Sequence, residues 1–265
     1  MFEAFDLPAE LERFRDATLP GVLVLDCERE FESMPTDWVY ELALFTEAIE
    51  PVRYPASWVP EDAPAPLRRL VTEEITIGLS GDGGVVRTTQ TDPPIVFVKP
   101  RLSGAPDAFV EFLIAEAIVE IDLGHPEHFL GFFEATYPRL QTAVGGDPQL
   151  AYHLGVALYA GWRGLGTRDR FAGWGDSYPY LHEAWTDAGD RLASRVDDLP
   201  ASTADGRVSF ADACELACSA IKHRLAIPNP FAALDVSAYR EQGAPFAIRW
   251  VERTLEALDD TGGAG

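Results

Sequence analysis

The stretch IVFVKPRLSGAPDAFVEFLIAEAIVEIDLGHPEHFLGFFEATYPRL, residues 95–140, decides the fold of this chain. It opens with the apolar run IVFV, which is typical of a buried strand. Residues 106–122 carry apolar side chains on most faces and predict a helix. The glycine, histidine and proline at 124–126 predict a tight turn, and an aromatic helix is expected over 126–142. The order strand, helix, turn and helix predicts an α+β core.

A small β-sheet is expected around this core. Within residues 74–99, β-branched residues flank a Gly-rich turn at 81–84 and a second turn follows at 92–94, which predicts a three-strand meander. The run GVLVLD, residues 21–26, predicts a further strand. Helices are predicted over about 8–17, 36–49, 66–71, 147–165, 178–196, 209–226, 230–241 and 244–258. We therefore expect an α+β, predominantly helical protein whose C-terminal half is all-α.

A candidate domain boundary follows the second helix of the core. Gly145-Gly146 and Asp147-Pro148 form a strong helix breaker at this point. The sequence thus predicts an α+β region over residues 1–146 and a helical region over residues 147–265. The two regions alternatively pack as one domain.

The charge of the chain is strongly negative. It contains 43 acidic residues against 21 basic ones, a formal net charge of −22, and Lys99 and Lys222 are its only lysines. This acidity excludes nucleic acid and anionic membranes as partners, because both repel such a surface. An even acidic coat with few lysines resembles cytoplasmic proteins of extreme halophiles such as haloarchaea, since a Debye length of about 3 Å at molar salt screens the repulsion. The alternative is an ordinary acidic bacterial protein.

The cysteines and the N-terminal residues indicate in which cellular compartment the protein is expected. Three cysteines are too few for a disulfide framework, and the i, i+4 spacing of Cys214 and Cys218 predicts a pair buried in a helical core. The first residues lack the basic and apolar segments of a signal peptide. No apolar run is long enough to span a membrane. We expect a cytoplasmic protein.

Residues 95–140 resemble the core of small zincin metallopeptidases, in which a strand precedes an HExxH helix and a third histidine lies nearby. In that family two histidines hold zinc and the glutamate activates the metal-bound water. The HExxH positions fall here on residues 115–119, so that Glu116 matches the general base. Ala115 and Val119 occupy the positions of the zinc ligands, and His125 that of the downstream histidine. The resemblance implies a zincin-like fold with neither a catalytic zinc nor another cofactor.

Four residues near this turn are candidate functional residues. Glu116, His125 and His128 are the candidate catalytic groups, and Glu120 is a candidate ligand-binding group. Carboxylates and imidazoles at this spacing could form a general acid–base pair or bind a metal through a non-standard set of ligands. The structural alternative places Glu116 and Glu120 on a solvated helix face, with His125 preceding a helix whose first residue is Pro126.

Three functions remain open from the sequence. The first is a pseudoenzyme: a non-catalytic, zincin-like binding or scaffold protein that recognises an unknown protein partner. The second is a hydrolase that uses Glu116 with His125 or His128. The third is a homo-oligomer whose aromatic helices over residues 147–185 supply the interface.

Overall fold

The computed structural model describes residues 2–31, 34, 36–72, 76–77 and 83–262. Its strands are β1 (Phe2–Ala4), β2 (Leu23–Cys27), β3 (Ala48–Ile49), β4 (Val85–Thr88), β5 (Thr91–Asp92) and β6 (Ile95–Val98). Its α-helices are α1 (Ala9–Thr18), α2 (Thr36–Leu42), α3 (Ala65–Thr72), α4 (Asp107–Asp122), α5 (Phe129–Phe133), α6 (Tyr137–Ala143), α7 (Pro148–Ala172), α8 (Pro179–Asp197), α9 (Leu199–Ala204), α10 (Phe210–Ile221), α11 (Ser237–Gln242) and α12 (Ala244–Gly262). The predicted fold class, α+β and predominantly helical, is confirmed.

The chain divides into two compact units, and each contains several segments of the sequence. Unit 1 consists of Met1–Tyr54, Ala65–His128 and Arg170–Thr186, and unit 2 of Pro55–Pro64, Phe129–Asp169 and Asp187–Gly265. The boundary after residue 146 stays a prediction. Among the described residues, no helix has the length and apolar character needed to cross a bilayer.

Unit 1 contains a four-stranded mixed sheet in the order β1-β2-β6-β4. Strands β2 and β6 are parallel, with Leu23 opposite Ile95 and Asp26 opposite Val98, whereas the other two pairings are antiparallel. The carboxyl ends of β2 and β6 therefore lie side by side. The residues that follow these two strands meet at one edge of the sheet.

Both faces of this sheet are covered, which explains the uninterrupted apolar run of β6. Val96 and Val98 pack into a cluster with α1 and α4, while Ile95 and Phe97 pack into a second cluster with α2. A strand buried on both faces loses the alternation of polar and apolar residues. Helix α4 is likewise apolar on most of its circumference, as expected for a buried helix.

The C-terminus of α4 is closed by the predicted tight turn. Gly124 adopts φ = +64°, a left-handed conformation that glycine reaches without a steric penalty. The His125 amide donates a hydrogen bond to the carbonyl of Glu120 (3.0 Å), and the Gly124 amide donates to that of Ile121 (2.9 Å). This is a Schellman-type helix end, and it satisfies carbonyls that the helix leaves without a partner.

Close helix packing in unit 2 involves the two neighbouring cysteines. Cys214 and Cys218 are both buried, with their sulfur atoms 4.0 Å apart, which confirms the predicted core pair. A Cβ atom at Gly161 would lie 2.9 Å from the Cys218 sulfur. Glycine at this position therefore allows α7 to approach α10 closely.

Several predicted elements differ in the structure. The helix expected over 36–49 ends at Leu42, and residues 48–49 instead pair with β5 as a strand. The helix expected over 126–142 is divided into α5, a short 3-10 turn and α6, with Glu134 at φ = +49° between the helices. The expected strand over 74–80 lies outside the described residues apart from 76–77, but the antiparallel pairing of β4 with β6 follows the predicted meander.

Candidate functional site

Glu120, a predicted ligand-binding residue, lies in a buried ion pair within unit 1. Its side chain is 4% exposed, and its Oε2 accepts a hydrogen bond from Nε of Arg87 in β4 at 3.0 Å. A second guanidinium nitrogen of Arg87 donates to the carbonyl of Pro126 at 2.9 Å. The expectation that Glu120 lies on a solvated helix face is therefore wrong, because α4 directs it toward the sheet.

Glu127 extends these contacts into a larger cluster, which we call the Arg87 network. Its carboxylate accepts hydrogen bonds from Gln90 Nε2 (2.9 Å), Thr88 Oγ1 (3.0 Å) and the amide of Thr89 (3.2 Å). Burial raises the pKa of Glu127 to about 7, while these donors and Arg87 act in the opposite direction. The Arg87 network consists of Arg87, Thr88, Thr89, Gln90, Glu120, Pro126 and Glu127.

The two candidate histidines are both buried next to this network. His125 follows the helix-ending glycine, and His128 lies against Tyr54, with 3.4 Å between the phenol oxygen and Nδ1. The prediction that Pro126 begins a helix is wrong, because α5 begins at Phe129. The chain between 125 and 128 is instead held by the contacts of Pro126 and Glu127 with the strand residues.

The positions that correspond to the zincin motif lie on the buried helix α4. Ala115 and Val119 are enclosed in the apolar core of unit 1, together with Ile118. Glu116 is half-buried. In the part of the chain that the structure describes, no group of three His, Cys, Asp or Glu side chains is arranged to hold a metal ion.

A cavity of about 490 Å³ lies at the carboxyl ends of the two parallel strands. We call it the β2–β6 cavity. Its position follows a general rule for sheets with parallel strands, in which ligands bind beyond the carboxyl ends. It is lined by Phe5, Asp6, Pro8, Asp26, Cys27, Val98, Lys99, Pro100, Leu102, Ser103, Gly104, Ala105, Asp107, Val110 and Glu111.

Two residues with titratable side chains, Cys27 and Lys99, line this cavity at the strand ends. Lys99 is only 1% exposed, and its ammonium group lies 4.4 Å from the ring centre of Phe31. Burial raises the pKa of the Cys27 thiol to about 12, although Lys99 acts to lower it. Cys27 is therefore a neutral thiol at physiological pH and a poor nucleophile.

Glu111 enters the cavity from the second turn of α4. Its side chain is 5% exposed, and no hydrogen-bond partner for its buried Oε2 exists among the described residues. Burial raises the pKa of Glu111, and the charges of Asp107 and Glu10 raise it further. A buried carboxylate oxygen with no partner among the described residues is costly.

Sequence reasoning missed the β2–β6 cavity, although a signal was present. Asp26-Cys27 and Lys99 each come directly after an apolar run, so they mark the ends of two strands. Only the parallel pairing of those strands, which are distant from each other in the sequence, brings the residues together. Glu111 carries no such signal, since it reads as one carboxylate among 43 acidic residues.

The comparisons with known proteins add a family assignment. No curated protein and no solved structure matches the chain. One family model matches over residues 1–258, and its description is a family of unknown function, DUF7089. The match covers nearly the whole sequence, and the chain therefore belongs to the DUF7089 family.

Proposed function

We propose that this chain is a non-catalytic binding protein whose ligand site is the β2–β6 cavity. The observation that carries the proposal is Glu111, a buried residue of the cavity wall whose carboxylate has one oxygen with no hydrogen-bond partner among the described residues. A ligand that donates a hydrogen bond to this carboxylate would remove that cost in the bound state. The volume of about 490 Å³ is within the range of small-molecule sites.

The structural contacts of the residues after α4 support a non-catalytic role. Glu120 is engaged by Arg87, and His128 lies beside Tyr54, so these side chains stabilise the turn after α4. The core positions of Ala115 and Val119 fit a zincin-like ancestor that has lost its zinc ligands. The competing hypothesis, a hydrolase that uses Glu116 with His125 or His128, stays a prediction.

The proposal includes a salt-rich working environment. A net charge of −22 with only two lysines favours folding where salt screens the repulsion between carboxylates. Binding and stability are therefore best measured in molar KCl. A haloarchaeal origin would supply that environment in the cytoplasm.

A cavity-blocking variant tests the binding function. The full-length chain is heated with millimolar spermidine, citrate or glucose, and the melting temperature is compared with that of Ser103→Trp, which adds a large side chain at a residue of the cavity wall. The control Ser194→Trp places the same side chain at an exposed position of α8. We expect at least one compound to stabilise the wild type and the control but not Ser103→Trp. If none of the three does so, the binding function is wrong.

A hydrolysis assay tests the competing hypothesis. Wild type and Glu116→Gln are incubated with casein and with p-nitrophenyl esters. We expect neither protein to exceed the buffer rate. Turnover by the wild type that Glu116→Gln abolishes would establish the hydrolase instead.

A further inference from the structure

We infer that the ligand of the β2–β6 cavity is an aliphatic amine, whose ammonium group binds between the carboxylates of Asp107 and Glu111. This inference rests on the proposed binding function and adds the chemical class of the ligand. It follows from the charges around the cavity, from the unsatisfied oxygen of Glu111 and from the apolar character of the remaining wall.

Negative charge predominates around the cavity. Its wall contains the carboxylates Asp6, Asp26, Asp107 and Glu111, whereas Lys99 is the only basic residue among the described residues that line it. At the molar salt proposed above this field is short-ranged, so the preference arises where the ligand contacts the carboxylates directly, and there a cation is favoured over an anion. The ligand charge is therefore positive.

Glu111 and Asp107 form the centre of this field. They are separated by four positions on α4, so they are neighbours on one helix face, and both line the cavity. Two carboxylates in this relation repel each other, and Asp107 contributes to the raised pKa of Glu111. An ammonium group between them removes the repulsion and supplies hydrogen-bond donors for the unpartnered Oε2.

The positive groups near the cavity do not reverse this preference. Lys99 is buried against Phe31, so part of its charge is already stabilised by the aromatic ring. The N-terminal parts of α1 and α4 also contribute to the wall through Pro8 and Asp107. Their partial positive charges, about half a unit each, are offset by the acidic residues nearby.

The uncharged part of the wall determines the rest of the ligand. Phe5, Pro8, Leu102 and Val110 present aliphatic or aromatic surface to the same space. Such a surface favours methylene groups over a strongly hydrated body, since burying apolar area stabilises binding. An alkyl chain that ends in an ammonium group matches both parts of the wall.

Isothermal titration of the full-length chain with spermidine tests this inference. We expect Glu111→Gln to weaken binding by about tenfold or more, because a charged hydrogen bond is lost while the shape is kept. Asp107→Asn should weaken it in the same direction. The control Asp122→Asn, at the opposite end of α4, should bind spermidine as the wild type does. Equal affinity of Glu111→Gln and wild type would overturn the inference.

The outcomes separate the ligand class from the binding function. Suppose that citrate or glucose stabilises the wild type but not Ser103→Trp, and that spermidine has no effect. The proposed binding function then stands, and the inference that the ligand is an amine is wrong. If no compound distinguishes the wild type from Ser103→Trp, both are wrong. Glu111→Gln removes a charge that is unsatisfied in the free protein, so it should remain folded, and circular dichroism verifies this.

Discussion

The two ends of helix α4 carry buried glutamates in opposite situations. At its C-terminal end Glu120 is bonded to Arg87 within the Arg87 network. At its N-terminal end Glu111 lines the β2–β6 cavity, and its Oε2 has no partner among the described residues. The two residues are nine positions apart, about 14 Å along a helix. A buried charge that keeps its partner costs the fold little, whereas one that is left unsatisfied destabilises it and is available to a ligand.

Breaking the Arg87 network should have the largest effect. Arg87→Met leaves the carboxylate of Glu120 buried without its cation, and we expect the free energy of unfolding to fall by about 3–5 kcal/mol. The control Arg170→Met removes the more exposed pair with Asp122 and should cost less than about 1 kcal/mol. Denaturant titration measures both, and equal losses would contradict the prediction.

The double variant Arg87→Met/Glu120→Met completes this test. It replaces both charges by apolar groups, so the penalty for a single buried charge is absent. We expect it to be more stable than Arg87→Met, with a favourable coupling energy in the double-mutant cycle. Additive losses would show that the two side chains act independently.

The Arg87 network should also make stability depend on pH through Glu127. Its pKa is raised from 4.5 to about 7, so between these values the native protein keeps a proton that the unfolded chain has lost. The free energy of unfolding therefore falls as pH rises through this interval, by about 3 kcal/mol at most, and this contribution is constant above it.

Glu127→Gln isolates that contribution. The amide of the variant does not titrate, so its free energy of unfolding should not show the fall between pH 4.5 and about 7 that Glu127 causes. This holds even if the substitution changes the stability at acid pH by a constant amount. Urea titrations of wild type and variant across the interval give the comparison. Parallel profiles would show that Glu127 does not retain its proton in the native state.

The wall of the β2–β6 cavity depends on a glycine outside it. A Cβ atom at Gly84 would lie 2.2 Å from Cγ of Leu102, which lines the cavity. We expect Gly84→Ala to displace Leu102 and to cost about 1–3 kcal/mol, as overpacking does. Gly83→Ala is the matched control, because no atom lies within 4 Å of its added Cβ. Thermal unfolding compares the two, and equal melting temperatures would contradict the close contact.

The smallest predicted effect is a gain in stability instead of a loss. It compares Glu111 and Glu120 directly. Glu111→Gln removes a buried negative charge near Asp107 and Glu10, and we expect it to raise the free energy of unfolding by about 1 kcal/mol at neutral pH. The same substitution at Glu120 should lower it, because the bond to Arg87 is weakened. If both glutamates had a structural role, both substitutions should lower the free energy of unfolding. Changes of opposite sign at Glu111 and Glu120 would therefore distinguish the two residues.

Much of the local structure could be predicted from the sequence. The apolar run before Lys99 indicated β6, and the glycine at 124 indicated the end of α4, because both signals arise within a few residues. The β2–β6 cavity was missed, and the role of the residues after α4 was predicted only in part. Glu120 and His128 were recognised as chemically notable, but their partners Arg87 and Tyr54 are distant in sequence, so no spacing rule could assign them a structural role.

The sequence by itself determined the fold class, the α4 helix with its closing turn, and the strongly acidic character of the chain. These properties depend on composition and on periodicity over short segments. Only the tertiary structure decided which carboxylates are satisfied. The parallel pairing of β2 with β6 brings Cys27 beside Lys99, and the packing of α4 on the sheet directs Glu120 to an arginine and Glu111 to a cavity. The energy of a buried charge depends on its neighbours in space, and those neighbours come from segments that are distant in the chain.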